Sequence, residues 1–156
     1  MKENLSLSLI YILNDEGGFA ERKAEPGGAV NRGISLEALA EDWNKNKRKS
    51  IPTVNDLNNL SEEEAMRIYT DHYAKSIGFD DLPVPLDYVM LNTAVMEGIT
   101  GANELLFLSK AKTPIETAAN MLIFQLAKKL KKPSRDKFGP GWADRIMRVW
   151  ARARSM

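Results

Sequence analysis

The sequence predicts an all-α domain, and three observations lead to that prediction. Apolar residues recur every three or four positions in several segments, as they do on the buried face of an α-helix. Capping residues precede these segments, and glycine or proline follows them. No run of alternating β-branched residues is present, so the glycine-rich segment 18–35 is the one place where we expect a small irregular or β excursion.

The predicted helices follow from these signals in chain order. They cover residues 5–15, 36–45, 62–77, 86–97, 102–110, 114–132 and 142–154. The expected N-caps are Ser35, Ser61 and Thr113, and the expected ends are at Gly17, Gly78, Gly98 and Pro133. The clearest start is at Thr113, because Pro114 and Glu116 follow it in the order of a capping box.

The composition excludes several kinds of catalytic and metal site but does not identify a binding partner. The chain has 156 residues, enough for one domain with a core, and a formal net charge of +1. It contains no cysteine and one histidine, His72, which argues against thiolate or histidine metal centres and against a Ser-His-Asp triad. No stretch is long and apolar enough to predict a membrane span.

Carboxylates beside glycines form the most informative motif. Glu16 precedes a Gly-Gly pair and Glu25 precedes a Pro-Gly-Gly run. Glycosidic bonds are cleaved by one carboxylic acid that protonates the leaving oxygen and a second carboxylate, for which Glu25, Asp15 and Glu21 are candidates here. Asn31 offers an amide for a water or a sugar. The alternative interpretation is structural, since a carboxylate before two glycines also marks a helix end and a turn.

The segment from "EGGF" through "EPGGAVNRGIS" resembles the signature of the glycoside hydrolase 108 family, the phage and bacterial N-acetylmuramidases related to secretion-activator lysozymes. The resemblance continues in "LSEEEAMRIYTDHYA", "DDLPVPLDYVMLNTAVMEG" and "KFGPGWADRI". It therefore extends over nearly the whole chain and is most specific at its N-terminal end.

The resemblance implies a lysozyme-like helical fold and a muramidase activity against the β-1,4 bond of peptidoglycan. It makes Glu16 the general acid and places Glu25, Asn31 and Gly33 in a second cluster. It also implies a catalytic lobe at 1–79 and a helical, peptidoglycan-binding lobe at 80–156, expected to form one compact unit. The remaining residues expected to bind substrate are Tyr69, Tyr73 and Asn92, with core packing as the alternative for the two tyrosines.

Four positions depart from the family pattern. Val30 replaces a threonine, Ala74 a tryptophan, Asn92 an aspartate and Met96 an asparagine. A non-catalytic relative that binds glycan is therefore an alternative to an active enzyme. The basic terminal helix leaves a nucleic-acid-binding module as a further alternative, which the near-balance of charges argues against.

The expected partners are peptidoglycan glycan strands, with no nucleic acid, no metal and no organic cofactor. The apolar N-terminal run lacks a cleavage site, so we expect an amphipathic helix rather than a signal peptide. Synthesis in the cytoplasm would then be followed by action at the cell wall or periplasm, after release through a holin or an export machinery. Both a phage endolysin and a secretion-associated muramidase fit these expectations.

Overall fold

Helices form most of the structure, a computed structural model that describes residues 3–21 and 28–156. The α-helices are α1 (Asn4–Glu16), α2 (Leu36–Lys45), α3 (Val54–Asn58), α4 (Glu62–Tyr69), α5 (Leu86–Ser109), α6 (Pro114–Leu130) and α7 (Arg135–Ala153). The strands are β1 (Ala20–Glu21), β2 (Ala29–Asn31) and β3 (Ile34–Ser35). The predicted all-α, lysozyme-like class with a small β excursion near residues 18–35 is confirmed.

The predicted N-caps form the expected hydrogen bonds at three helix starts. The Ser35 side chain accepts a hydrogen bond from the backbone N–H of Ala38 at the start of α2. Thr113 and Glu116 form a reciprocal capping box at α6. Ser61 caps α4 by accepting the N–H of Glu64. These short-range bonds satisfy the N–H groups that a helix start leaves without intrahelical partners.

Four elements differ from the sequence prediction. The helix expected at 62–77 is an α-helix only to Tyr69, the end of α4, and continues as a π-helical turn over Thr70–Ala74.

The other differences concern α5, α7 and α3. The two helices expected at 86–97 and 102–110 are merged in α5, where Gly98 interrupts the helical geometry with φ 77° and ψ 165°. Helix α7 begins at Arg135, seven residues before the predicted start, and accommodates Pro140 within its second turn. Helix α3 was not predicted, although Thr53 and Asp56 form a capping box at its start. Its five residues are too few for helical periodicity to show in the sequence.

The chain divides into two compact units. One is Leu9–Thr70, and the other joins Asp71–Met156 to the residues up to Ser8. The lobe boundary between residues 79 and 80 that the resemblance implied stays a prediction.

In the unit Leu9–Thr70, the three strands form an antiparallel sheet in the order β1-β2-β3. Buried apolar residues from α1, α2, α3 and α4 form the core of this unit: Leu9, Ile12, Leu39, Leu57 and Ile68. Arg67 on α4 donates from both terminal nitrogens to the Asp42 carboxylate on α2, at 3.0 and 2.6 Å. Because the Asp42 side chain is buried, this two-pronged pair fixes α4 against α2.

In the other unit, α5, α6 and α7 pack on one another. Fully buried residues at their centre are Tyr88, Val89, Met90, Met121 and Val149. A buried ion pair joins Lys129 on α6 to Glu97 on α5 at 2.6 Å, with both side chains only 7% exposed. The Gln125 amide also donates to Glu97, at 3.3 Å, so this carboxylate is held by two donors from α6.

None of the helices within residues 3–21 and 28–156 combines the length and the apolar character that crossing a bilayer requires.

Lys129→Met should lower the free energy of unfolding by about 3–5 kcal/mol, because it leaves the Glu97 carboxylate buried without its cation. The double variant Lys129→Met/Glu97→Leu should recover most of that loss. Urea unfolding followed by tryptophan fluorescence measures both. Equal destabilisation in the single and double variants would contradict the assignment of the loss to the stranded charge.

Candidate active site

Glu16 is the last residue of α1 because the chain turns directly after it. Gly17 has φ 75°, a left-handed conformation that glycine adopts without strain, and its N–H donates to the Leu13 carbonyl at 3.2 Å. The Glu16 side chain is half-buried. The local sequence thus places a carboxylate at the end of an apolar helix, beside backbone that carries no side chains.

The turn between β2 and β3 is a two-residue hairpin turn. Asn31 and Ile34 pair across it, and Arg32 and Gly33 occupy its centre with φ 52° and 77°. Positive φ at both central positions is the geometry of a type I′ turn, whose twist matches that of the adjoining strands. Only Arg32 and Gly33 lie between the paired residues, so these two must form the turn.

Gly33 is the point where three predicted site residues meet. A Cβ atom at this position would lie 2.9 Å from Oε2 and 2.8 Å from Cγ of Glu16, and it would overlap the phenol oxygen of Tyr69. The Tyr69 hydroxyl donates to the Arg32 carbonyl at 2.9 Å, and the Tyr69 side chain is buried. The structure therefore brings Glu16, Gly33 and Tyr69 into one group, and the missing side chain at Gly33 is what allows it.

Asn31 lies in the same hairpin and has a hydrogen-bonding role within the fold. Its side-chain amide donates to the carbonyls of Leu57 and Asn58, at 2.8 and 3.2 Å, and the residue is buried. Those carbonyls stand at the C-terminal end of α3, where a helix leaves acceptors without intrahelical partners. Asn31 thus ties the hairpin to α3, and its binding of substrate stays a prediction.

A depression of about 420 Å³ borders this group. Its lining comes from the end of α1, the hairpin and the segment after α3: Leu13, Asn14, Gly17, Gly18, Phe19, Asn31, Arg32, Asn58 and Leu60. The sequence analysis did not single out Phe19 or Arg32. The available signal was the Asn-Arg-Gly stretch, which favours a two-residue hairpin and so places Arg32 at an exposed tip.

The structure does not place the other predicted site residues in the group around Gly33. Glu25 lies outside the described residues. Tyr73 and Asn92 belong to the unit that contains Asp71–Met156. Tyr73 is half-buried in a π-helical turn, Thr70–Ala74. Asn92 is fully buried in α5, and its role in substrate binding, like that of Tyr73, stays a prediction.

The alternatives for a second carboxylate include one side chain that the structure describes. Asp15 precedes Glu16 in α1 and is half-buried. Glu21 ends β1, where its backbone pairs with Ala29. Within residues 3–21 and 28–156, no group of three or more acidic or histidine side chains is placed to hold a metal ion.

Gly33→Ala should lower the free energy of unfolding by about 3 kcal/mol, because a positive φ and an overlap with Glu16 and Tyr69 both oppose the new Cβ. Gly17→Ala is the matched control. Its φ of 75° imposes similar strain, but among the described residues no atom beyond its chain neighbours lies within 4 Å of the added Cβ, so we expect a loss of about 1 kcal/mol. Chemical denaturation compares the two, and equal losses would contradict the crowding described at Gly33.

Asn92→Leu should raise the free energy of unfolding by about 1 kcal/mol. Neither polar atom of the Asn92 amide has a hydrogen-bond partner among the described residues, and a buried unpaired amide is costly. The control Gln125→Leu should be destabilising instead, since it removes a donor from Glu97. A gain in stability together with a loss of glycan binding would support the predicted role of Asn92 in substrate binding, and a loss of stability would contradict the unpaired amide.

Comparisons with known proteins identify the family of this chain. The sequence profile of Glycosyl hydrolase 108 matches residues 9–98, more than half of the chain and the range that contains Glu16, Gly33 and Tyr69. The chain is similar to a solved structure, that of Brucella abortus SagA, with 25% identity, coverage of 99% of this chain and 96% of that chain, and a TM-score of 0.84. A search of curated proteins found no match. The profile match confirms what the Glu-Gly-Gly and Pro-Gly-Gly motifs predicted: the chain belongs to the glycosyl hydrolase 108 family.

Proposed function

We propose that this protein is an N-acetylmuramidase that hydrolyses the β-1,4 bond between N-acetylmuramic acid and N-acetylglucosamine in peptidoglycan. One observation carries the proposal. The Glu16 carboxylate, at the end of α1, lies against the Gly33 turn beside the Tyr69 phenol, within the range that matches the glycosyl hydrolase family. A carboxylic acid in a fixed position next to open backbone is what protonation of a glycosidic oxygen requires.

Each neighbour of Glu16 has a separate part in this mechanism. Tyr69 is a positioning residue, because its hydroxyl bonds to the Arg32 carbonyl and so holds the turn against which the carboxylate rests. Gly17 and Gly18 present no side chains near the acid, which leaves room for a bulky sugar polymer to approach. Glu16 gives its proton to the leaving oxygen while the glycosidic bond breaks and an oxocarbenium-like sugar forms.

We assign the second carboxylate to Glu25, the acidic residue that begins the second motif of the sequence. It would orient the attacking water or stabilise the positive charge on the sugar. A pair of carboxyl groups about 6.5–9.5 Å apart leaves space for water and gives inversion, whereas about 5–5.5 Å gives retention through a covalent intermediate. The anomeric form of the first product, observed by NMR during hydrolysis, identifies which path operates.

The test of the proposed function is digestion of purified sacculi, followed by reduction and mass spectrometry of the released fragments. The wild-type protein should release disaccharide peptides that end in reduced muramic acid. Glu16→Gln should release them at least about 100-fold more slowly, because it keeps the shape of the side chain and removes the acid. Glu37→Gln, an exposed glutamate on α2 in the same unit, is the matched control and should retain the wild-type rate.

Two outcomes would contradict the proposal. Sedimentation of the wild-type protein with sacculi without any cleavage would identify a glycan-binding relative. Cleavage by Glu16→Gln at the wild-type rate would show that a residue other than Glu16 is the general acid. Thermal unfolding of each variant confirms that a lost rate reflects lost chemistry and not a lost fold.

A further inference from the structure

Arg32 is a charged residue among those that line the depression bordering the candidate acid. It is directly followed by Gly33, against which the Glu16 carboxylate lies. A cation is therefore held one residue away from the contact that positions the acid. General acid catalysis of glycoside cleavage needs no such cation, so its place in the depression calls for a separate explanation.

The backbone at Arg32 is fixed from both sides. Arg32 adopts φ 52°, which non-glycine residues rarely do, and its carbonyl accepts the hydrogen bond from the buried Tyr69 hydroxyl. The hairpin pairing of Asn31 with Ile34 closes the turn around it. Because the backbone is held in this way, binding through the guanidinium would require no ordering of the backbone.

The ion pair that Arg32 makes is one that a ligand can replace. Its Nη1 lies 3.3 Å from Oε2 of Glu62, and the two side chains are 31% and 56% exposed. Exposed pairs of this kind contribute about 0–1 kcal/mol. A ligand carboxylate can therefore take the place of Glu62 at little cost, and the presence of Glu62 shows that a carboxylate can reach the guanidinium in this position.

The rest of the lining suits a sugar. Phe19 is 40% exposed and offers an apolar ring face, while Asn14 and Asn58 offer side-chain amides. Backbone at Gly17 and Gly18 carries no side chain that would narrow the space. Apolar area beside a few polar groups is typical of sites that bind small polar ligands.

The two sugars of the substrate differ in one chemical feature. Both carry an N-acetyl group, and N-acetylmuramic acid alone carries a lactyl ether that ends in a carboxyl group. In strands without stem peptides that carboxyl is a free anion. In peptide-bearing strands it forms an amide, and the negative charges lie on the carboxylates of the peptide. A cation beside the acid would therefore distinguish muramic acid from glucosamine.

We propose that Arg32 binds a carboxylate on the muramic acid side of the glycan and so orients the strand at Glu16. This inference rests on the proposed function and goes beyond it, since it assigns a specificity residue and a subsite. The shared chemistry is a carboxylate, and its source is either the free lactyl group or the stem peptide. If the lactyl group is the source, an amidase that removes stem peptides must supply the preferred substrate.

The test measures binding in the Glu16→Gln background, so that ligands stay intact. Calorimetry gives the Kd for a muramic-acid-containing tetrasaccharide with free lactyl carboxylates, for its methyl ester, for its peptide-bearing form and for the N-acetylglucosamine tetramer. We expect a carboxylate-bearing ligand to bind about tenfold more tightly than the ester and the glucosamine tetramer, as one charge-assisted hydrogen bond allows. The ligand with the lowest Kd identifies the source of the carboxylate.

Matched variants assign that preference to Arg32. Glu16→Gln/Arg32→Gln should bind all four ligands equally well. Glu16→Gln/Arg48→Gln removes an arginine that pairs with Glu64 in the same unit, and it should keep the preference. Glu16→Gln/Glu62→Gln should strengthen the preference, because it removes the competing carboxylate.

A preference that survives Arg32→Gln would overturn the inference, and so would equal binding of all ligands by the Glu16→Gln protein. Either result leaves the proposed function intact if the wild-type protein still cleaves sacculi in a Glu16-dependent way. Conversely, loss of the preference in Arg32→Gln without cleavage by the wild-type protein would support carboxylate recognition while the proposed hydrolysis fails. Thermal unfolding of Arg32→Gln controls for damage to the turn.

Discussion

The hydrogen bond from the Tyr69 hydroxyl to the Arg32 carbonyl is the constraint on which the candidate site depends. It joins α4 to the tip of the β2–β3 hairpin, two elements separated by more than thirty residues. The bond brings a buried phenol so close to the turn that only glycine fits at position 33. Glu16 then occupies the remaining side of Gly33. A single long-range contact thus holds the turn in place and adds to the reasons why position 33 must be glycine.

That bond is effective because the elements on either side of it are themselves held. The Asp42 carboxylate accepts two hydrogen bonds from Arg67, which fixes the helix that carries Tyr69. Asn31 ties the hairpin to the end of α3 through two backbone carbonyls. Charge-assisted and fully paired bonds of this kind are worth more when they are removed from water, since an unpaired buried partner is costly. The site is therefore rigid where the acid rests, and its open face is lined by backbone and exposed side chains.

The same pattern gives the polar residues of this unit different tasks. The Asn31 amide donates to backbone carbonyls of the fold, whereas Arg32, the next residue, lines the depression and has its carbonyl bonded to Tyr69 and its guanidinium in an exchangeable pair with Glu62. Asn31 ends β2 and Arg32 begins the turn, and two successive residues can have separate roles because their side chains point in different directions. A family signature that covers both positions does not by itself separate the two tasks.

The sequence alone determined the helical class, most helix starts and the end of α1 at Glu16. These features depend on local signals, namely helical spacing, N-caps such as Ser35 and Thr113, and a glycine after the last turn. It also determined the family, through motifs that lie close together in the chain.

Only the tertiary structure decided which residues meet. The contact of Glu16 with Gly33 and Tyr69, the structural use of Asn31 and the placement of Arg32 all arise between segments far apart in sequence. The sequence analysis also missed two helical segments. Helix α7 continues through Pro140, because packing outweighs the helix-breaking tendency of this proline. Helix α3 has only five residues, which are too few to show helical periodicity. Local chemistry specifies elements, whereas the contacts that make a site depend on how the whole unit packs.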